Sequence, residues 1–423
     1  MSLFVKRWWL KSTLFILLLG FAACGNPSKP LKDEKKIALA QTDSMVPAQI
    51  IVAANSTEKY LPLLKDKKIA VVANQTSVVF RNPDSVLVGG FTHLVDSLLA
   101  MDINIIKIFS PEHGFRGEAD AGEKVKDGTD AKTGLPIISL HGKNRKPSAE
   151  HLKQLDVVLF DIQDVGVRFY TYIATLQLVM EACAENGVPV IVLDRPNPNA
   201  HYVDGPTMER EHTSFLGMTE IPLVYGMTIG EYARMINGEG WLAGRKKADL
   251  TIIPLSNWNH QSEYSLPIRP SPNLPDDTAI SLYPSLGLFE GTNINAGRGT
   301  EFQFERYGAS FLDSTQYSFT YTPMPNFGSK HPKEEGKKCF GKDLSEMPRM
   351  HEVTLQWLID AYTNSLDKSK VFNTDGFTKH AGTKTLQQQI ISGKTEEEIK
   401  ETWQDDLKSF EKIRSKYILY PEK

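Results

Sequence analysis

Between residues 67 and 255 the chain repeats one pattern, a short β-branched apolar run followed by a stretch with helical apolar spacing. The runs are "KKIAVVAN" (67–74), "INIIKIFS" (103–110), "DVVLFDI" (156–162), "VPVIVLD" (188–194) and "ADLTIIPL" (248–255). They are apolar without alternation, so they are comfortable only with both faces buried. Helical spacing marks "FTHLVDSLLAM" (91–101), "YIATLQLVMEACAENG" (172–187) and "TIGEYARMINGEGW" (228–241), with Gly187 as the C-cap of the second. Strands buried on both faces and separated by helices predict an α/β fold, a Rossmann-like parallel sheet with helices on both faces.

In an open parallel sheet, ligands bind beyond the carboxyl ends of the strands. Those ends read Asn74-Gln75-Thr76, Ser110-Pro111-Glu112-His113-Gly114, Asp161-Ile162-Gln163-Asp164 with Arg168 beyond, and Asp194-Arg195-Pro196-Asn197. The stretch "FSPEHGFRGEADAGE" (109–123) adds Arg116, Glu118, Asp120 and Glu123. Glycine, Asn or Asp would suffice to cap the strands of a purely structural sheet. Glu, Gln, Arg and His together on one edge predict a site. Structural alternatives stand beside this reading: Glu112 as a helix cap, His113 as a satisfied core imidazole, Asp161 and Asp164 as caps or partners of Arg168. Glu118, Asp120 and Glu123 also fit a solvated loop face.

The formal net charge is only −3, which argues against a nucleic-acid surface. No GxGxxG follows a strand, and "NAGRGTEF" offers a lone GxG, so nothing predicts a nucleotide cofactor. HExxH, CxxC and GxSxG are absent from the sequence, so no metal is predicted and no serine-hydrolase elbow. What abounds is carboxylates with amides, Arg and aromatics. That mix suits a sugar: carboxylates for acid–base work, amides and Arg for hydroxyl and acyl groups, aromatic faces for the ring.

A chain of 423 residues exceeds most single cores, so two domains are expected. Residues 256–350 turn rich in Pro, Gly, Asn, Ser and aromatics, too long for one structureless loop. We assign 47–255 to the Rossmann-like catalytic domain and 256–423 to a smaller α+β C-terminal domain. Helices resume with "HEVTLQWLIDAYTNS", "KTLQQQIISG" and "TEEEIKETWQDDLKSFEKIRSKY", the last opened by a Thr395/Glu398 capping box. At the other end, Lys6, Arg7 and Lys11 precede the apolar run Leu14–Leu19 and then Ala22-Ala23-Cys24. This is a signal peptide over 1–24 that resembles a bacterial lipobox, with Phe21 where Leu is usual. It predicts cleavage before Cys24, acylation there, and a polar tether over 25–46. The expectation is an exported, membrane-anchored lipoprotein, periplasmic or on the cell surface. Cys183, in an apolar helical pattern, reads as a core residue, and no pairing with Cys339 follows from the sequence.

"SPEHGFRGEADAG", "TGLPIISLHG", "DVVLFDIQDVGVRFYTYIATL", "VIVLDRPNPN", "VDGP", "PLVYGMTIGEYARMINGE", "PSPNLP", "YPSLGLFEGTNINAGRGTEFQFERYGA" and the tail "AGTKTLQQQI…KYILY" resemble the exo-β-N-acetylmuramidase family of the NamZ type over about residues 50–420. The stretch "NAGRGTEFQFERYGAS" departs from the family's usual run. The resemblance implies a cleft between the two domains and release of N-acetylmuramic acid from the non-reducing ends of peptidoglycan fragments, in keeping with wall-sugar recycling. It implies Glu112 as catalytic carboxylate and general acid, and Asp161, Asp164 or Glu290 as the second group. Alternatively, the substrate's own acetamido group attacks, and the second carboxylate orients it. Arg298, or else Arg168, is expected to hold the lactyl carboxylate. His113, Arg116, Gln163, Tyr172, Asp194, Arg195, Asn197 and Asn293 complete the expected substrate-binding set. The competing readings are a non-catalytic muropeptide- or glycan-binding lipoprotein and a metal-dependent esterase or deacetylase.

Overall fold

The apolar runs form strands whose side chains alternate between two buried layers. In chain order the strands are β1 (Ile69–Ala73), β2 (Val78–Phe80), β3 (Phe91–His93), β4 (Ile105–Ser110), β5 (Gly128–Thr129), β6 (Pro136–Ser139), β7 (Val157–Asp161), β8 (Val190–Leu193), β9 (Leu250–Ile253), β10 (Arg306–Ala309), β11 (Phe319–Tyr321) and β12 (Cys339–Asp343). The structure, a computed structural model, describes residues 49–81, 90–117 and 127–423. The expected signal peptide with Cys24, the tether to residue 46, and Glu118, Asp120 and Glu123 lie outside the described residues.

A sheet of 7 strands runs in the order β5-β6-β4-β1-β7-β8-β9. Its neighbours pair in parallel, except that β5 lies antiparallel on β6. Counted among themselves, the parallel strands run 3-2-1-4-5-6, the order of a dinucleotide-binding sheet. The direction of winding reverses between β4 and β7, on either side of β1. On one face Ala70, Val72, Val158, Phe160, Val190 and Val192 meet the helix Tyr172–Asn186 through Ile173, Leu176, Val179 and Met180. On the other face Ile69, Val71, Val157, Leu159 and Ile191 meet Tyr60 and Leu64 of the helix Thr57–Leu64 and Leu94 and Leu98 of the helix Leu94–Ala100. Period-two alternation thus sends every second side chain to each layer. The parallel α/β class read from the sequence is what the chain adopts.

The C-terminal domain adds an antiparallel sheet of 3 strands, β10-β12-β11, and helices from Gln356 onward. Its apolar residues, Leu286, Leu288, Phe289, Phe304, Leu358 and Phe377 among them, join the same core layer that covers one face of the large sheet.

Several elements differ from the sequence expectation, each for a local reason. Phe91–His93 is not helical but pairs with β2, and the helix begins after His93, whose Nδ1 accepts the Val95 N–H. In the Pro-rich region the helix Asp277–Leu286 forms, with the Asp276 side chain capping Ala279 N. It contains Pro284, which cannot donate to the Ile280 carbonyl. Asn199 Nδ2 donates to that carbonyl instead, at 3.1 Å. Helix does not start at His351 but at Gln356. The intervening N–H groups of Val353, Thr354 and Leu355 are taken by Asp204, Ser285 and Glu396. The last long helix is two, Glu396–Glu401 and Gln404–Arg414, turning at the buried Trp403. The Thr395/Glu398 capping box and the left-handed Gly187 C-cap are both present. Cys183 and Cys339 are free buried thiols, and burial raises each to about 12.

Candidate active site

A cavity of about 300 Å³ opens where the carboxyl end of β4 faces the C-terminal domain. The sheet side contributes Glu112 and His113 from the turn after β4, and Phe169, Tyr170, Thr171 and Tyr172 from the segment entering the helix Tyr172–Asn186. Ser271 and Asn273, then Tyr283, Glu290, Arg298, Phe304 and His380, supply the opposite wall.

The turn after β4 is tight: Gly114 N donates to Pro111 O at 3.2 Å, and both His113 (φ 69°) and Gly114 (φ 82°) are left-handed. Glycine takes this conformation freely, whereas a histidine does so at a cost of order 1–3 kcal/mol. The strained turn projects Glu112, and Thr171 Oγ1 donates to Glu112 Oε2 at 2.8 Å. The floor is aromatic. Tyr170 and Tyr172 meet edge to face at 4.8 Å, and their hydroxyls both donate to Pro270 O. Tyr283 packs edge-on against Phe169 at 5.2 Å and Phe304 at 4.8 Å.

The far wall carries charge. Arg298 Nη2 lies 3.3 Å from Glu290 Oε2, and Lys333 Nζ donates to the carbonyls of Phe289 and Glu290, each at 2.9 Å. Burial alone would raise the Glu290 carboxyl. The Arg298 and Lys333 charges outweigh it and leave it below the usual carboxylate value. Arg298 keeps unspent donors; its Nε makes no hydrogen bond among the described residues. The flanking Gly297 and Gly299 are needed where the chain packs closely on itself. A Cβ on either would fall 2.2 Å from Phe302 O or 2.7 Å from Met324 O.

Of the residues singled out in the sequence, Glu112, His113, Tyr172, Glu290 and Arg298 come together in this cavity. The others do not line it, and most have their polar groups engaged within the fold. Asp161 is fully buried and grips Arg195 bidentately at 2.6 and 2.8 Å, and Arg195 also reaches Val78 O. Asp194 accepts from Thr228, Gly230 and Tyr420, tying β8 to the helix Ile229–Gly238 and to the C-terminal tail. Gln163 donates to Asp164 O and Pro196 O, and Asn197 to Met227 O. Arg116 forks onto Asp130 at 2.9 and 2.8 Å, and Asn293 donates to Lys370 O. Asp164 accepts from Tyr225 and from Gly166 N, while its Oδ1 is buried without a partner among the described residues. Burial raises it to about 6.

Arg168 is likewise not a ligand of the cavity. Its guanidinium is buried and donates to four backbone carbonyls, those of Pro206, Ile221, His380 and Ala381. Sequence reasoning missed Phe169, Tyr170, Thr171, Leu216, Ser271, Asn273, Leu274, Tyr283, Phe304 and His380. "RFYTY" beside Arg168 and "PSPNLP" carried a signal for some of them; nothing local marked His380.

A second cavity, about 320 Å³, lies between Pro198, Tyr264 and Arg349 and the residues Asp277, Ile280 and Ser281 of the helix that also supplies Tyr283. Arg349 there is spent on Pro198 O and His201, and none of the described strand ends reaches it. Among the described residues, Glu209, Glu211 and His212 are the group whose ligand atoms come close enough to share a cation, and they do not line the Glu112 cavity.

Two family models match the chain: Exo-beta-N-acetylmuramidase NamZ, N-terminal, over residues 69–278, and the corresponding C-terminal model over 281–420. The chain is 36% identical over 442 aligned residues to the peptidoglycan beta-N-acetylmuramidase NamZ of Bacillus subtilis (strain 168), spanning 97% of this chain and 100% of the relative. Two crystal structures of DUF1343 family proteins from Bacteroides fragilis NCTC 9343 share the fold. One is 42% identical with a TM-score of 0.79, the other 27% identical with a TM-score of 0.73; each covers 88% of this chain and 99% of its own.

Proposed function

From the family to which this chain belongs, the NamZ exo-β-N-acetylmuramidases, we infer a peptidoglycan glycoside hydrolase that releases N-acetylmuramic acid from the non-reducing ends of wall fragments. The observation that carries the reading is the pairing of Glu112 and Glu290 in one aromatic-floored cavity, one from the sheet edge and one from the C-terminal domain. Two carboxyl groups in contrasting surroundings, one hydrogen-bonded to a hydroxyl and the other ion-paired, suit the two roles of a glycosidase.

In this reading Glu112 is the general acid. It protonates the glycosidic oxygen as the bond to the anomeric carbon breaks, and Thr171 holds its carboxyl in place. Glu290, kept ionised by Arg298 and Lys333, is the second carboxylate. It stabilises the positive charge developing on the sugar ring and assists the water or acetamido oxygen that completes the displacement. Arg298 takes the lactyl carboxylate: its fork has donors left after Glu290, and it lies beside the aromatic face of Phe304 at 5.5 Å. His113 and Tyr172 complete the sugar-contacting set. Export and acylation at Cys24 are part of the proposal, supported by the N-terminal sequence and by the location of peptidoglycan outside the cytoplasm.

The test is release of p-nitrophenol from the β-glycoside of N-acetylmuramic acid by purified protein, against the matching N-acetylglucosamine glycoside. Cleavage of the first in preference to the second is expected, undiminished by a chelator. Inertness toward both would overturn the reading. Mass spectrometry of the membrane-extracted protein checks the anchor: the expected N-terminus is an acylated Cys24.

A further inference from the structure

His380 closes the helix Thr374–Ala381 and lines the cavity. Its Nδ1 stands 2.8 Å from Gly376 O. A carbonyl oxygen can only accept, so Nδ1 carries the hydrogen, and in the neutral ring Nε2 is a lone-pair acceptor. Nε2 makes no hydrogen bond among the described residues. With Nδ1 turned toward its own helix, the Nε2 edge is the one left for the cavity.

The ring is fixed from behind. Phe169 packs against it at 5.5 Å, and the buried Arg168 donates to the carbonyls of His380 at 3.0 Å and Ala381 at 2.7 Å. Gly382 follows with φ 81°, where a Cβ would come within 2.7 Å of Arg168 Nη2. The charged groups facing the imidazole are Glu290, Lys333 and Arg298. Burial lowers its pKa, Lys333 and Arg298 lower it further, and the Gly376 carbonyl and Glu290 only partly offset them. The ring is therefore neutral at neutral pH.

We propose that His380 recognises the free 4-hydroxyl of the terminal muramic acid, with Nε2 accepting the hydroxyl hydrogen. The assignment rests on the muramidase reading. With the anomeric carbon at Glu112 and the lactyl group on O3 directed to Arg298, the next ring position away from the reacting carbon is C4. His380 lines the cavity beside Arg298, Glu290 and Lys333 and offers an acceptor there. In a terminal residue O4 is a hydroxyl. In an internal residue it is a bridging oxygen without hydrogen, and a neutral Nε2 would then face another acceptor. One imidazole in a fixed tautomer thus makes the cavity selective for chain ends.

The experiment compares p-nitrophenyl glycosides of N-acetylmuramic acid and of its 4-deoxy and 6-deoxy analogues. Wild-type kcat/KM should fall about tenfold to a hundredfold on removing the 4-hydroxyl, the range expected when a site acceptor loses its donor, and little on removing the 6-hydroxyl. His380→Ala should lose a similar factor on the parent glycoside and show no further loss on the 4-deoxy compound. His380→Gln, whose amide oxygen can accept, should restore part of the discrimination, which a purely structural role would not produce. The proposal is overturned if His380→Ala still discriminates against the 4-deoxy sugar, or if the penalty falls on the 6-deoxy sugar. A wild-type protein inert toward the parent glycoside would instead remove the muramidase reading itself, and this assignment with it.

Discussion

Thr171 Oγ1 donates to Glu112 Oε2 at 2.8 Å, so the proposed acid is held by a residue from a different strand's connection. Glu112→Gln should lower kcat by about 10²–10⁴, the usual span of general acid catalysis. The loss should be smaller for a p-nitrophenyl glycoside, whose leaving group needs little protonation, than for a natural disaccharide. Thr171→Val keeps the shape and removes the bond; kcat should fall by about tenfold with KM nearly unchanged. Equal losses of the two substrate types in Glu112→Gln would recast Glu112 as a nucleophile or an orienting group.

Glu290→Gln removes the anion facing Arg298 and Lys333. With both cations uncompensated, an anionic sugar should bind more tightly while turnover drops. Steady-state kinetics should therefore show kcat reduced by roughly a hundredfold or more, with KM lowered and product inhibition by N-acetylmuramic acid strengthened. A kcat left intact would make Glu290 only the counter-ion of Arg298.

Arg298→Lys preserves the charge and loses the fork. Both substrate classes suffer from a weakened Glu290 contact, so the informative quantity is the ratio. The preference for muramic acid over glucosamine glycosides should shrink by roughly tenfold. An unchanged ratio would place the lactyl group elsewhere in the cavity.

Asp164 gives a pH prediction. Its folded-state value of about 6 lies above that of a free aspartate, because burial disfavours the charged form. The fold therefore binds a proton there that the unfolded chain releases first. The stabilising contribution is complete below about pH 4 and is lost as pH rises through 6. Asp164→Asn should flatten this: the difference in Tm between variant and wild type should move in the variant's favour from pH 4.5 to pH 7.5. A constant difference across that range would show that Asp164 is ionised in the fold throughout.

The sheet was legible because its evidence is local. Strands such as Ile69–Ala73 and Val157–Asp161 are apolar on both faces, and the parallel arrangement follows from that. The strand ends also marked an edge of the sheet, and Glu112 lines a cavity there. What the sequence concealed was which polar residues face a ligand and which face each other. Asp161 and Arg195 are 34 positions apart, and only folding makes them a closed pair. Arg168 resembled a substrate fork but binds the backbone of residues more than two hundred positions away. His380 was hidden for the same reason, since nothing in its neighbourhood of sequence foretells the cavity wall it joins.

The helix Asp277–Leu286 has a consequence for how this protein can be made and inherited. The two family segments meet at residues 278 and 281, inside that helix, and one apolar layer continues from the large sheet into the C-terminal domain. A nascent chain that has emerged only as far as the junction therefore carries half a helix and an uncovered oily flank. Its partner surface is still in the ribosome, and no hinge separates the two portions. A frameshift near the junction should therefore yield a sticky remnant rather than a smaller working enzyme.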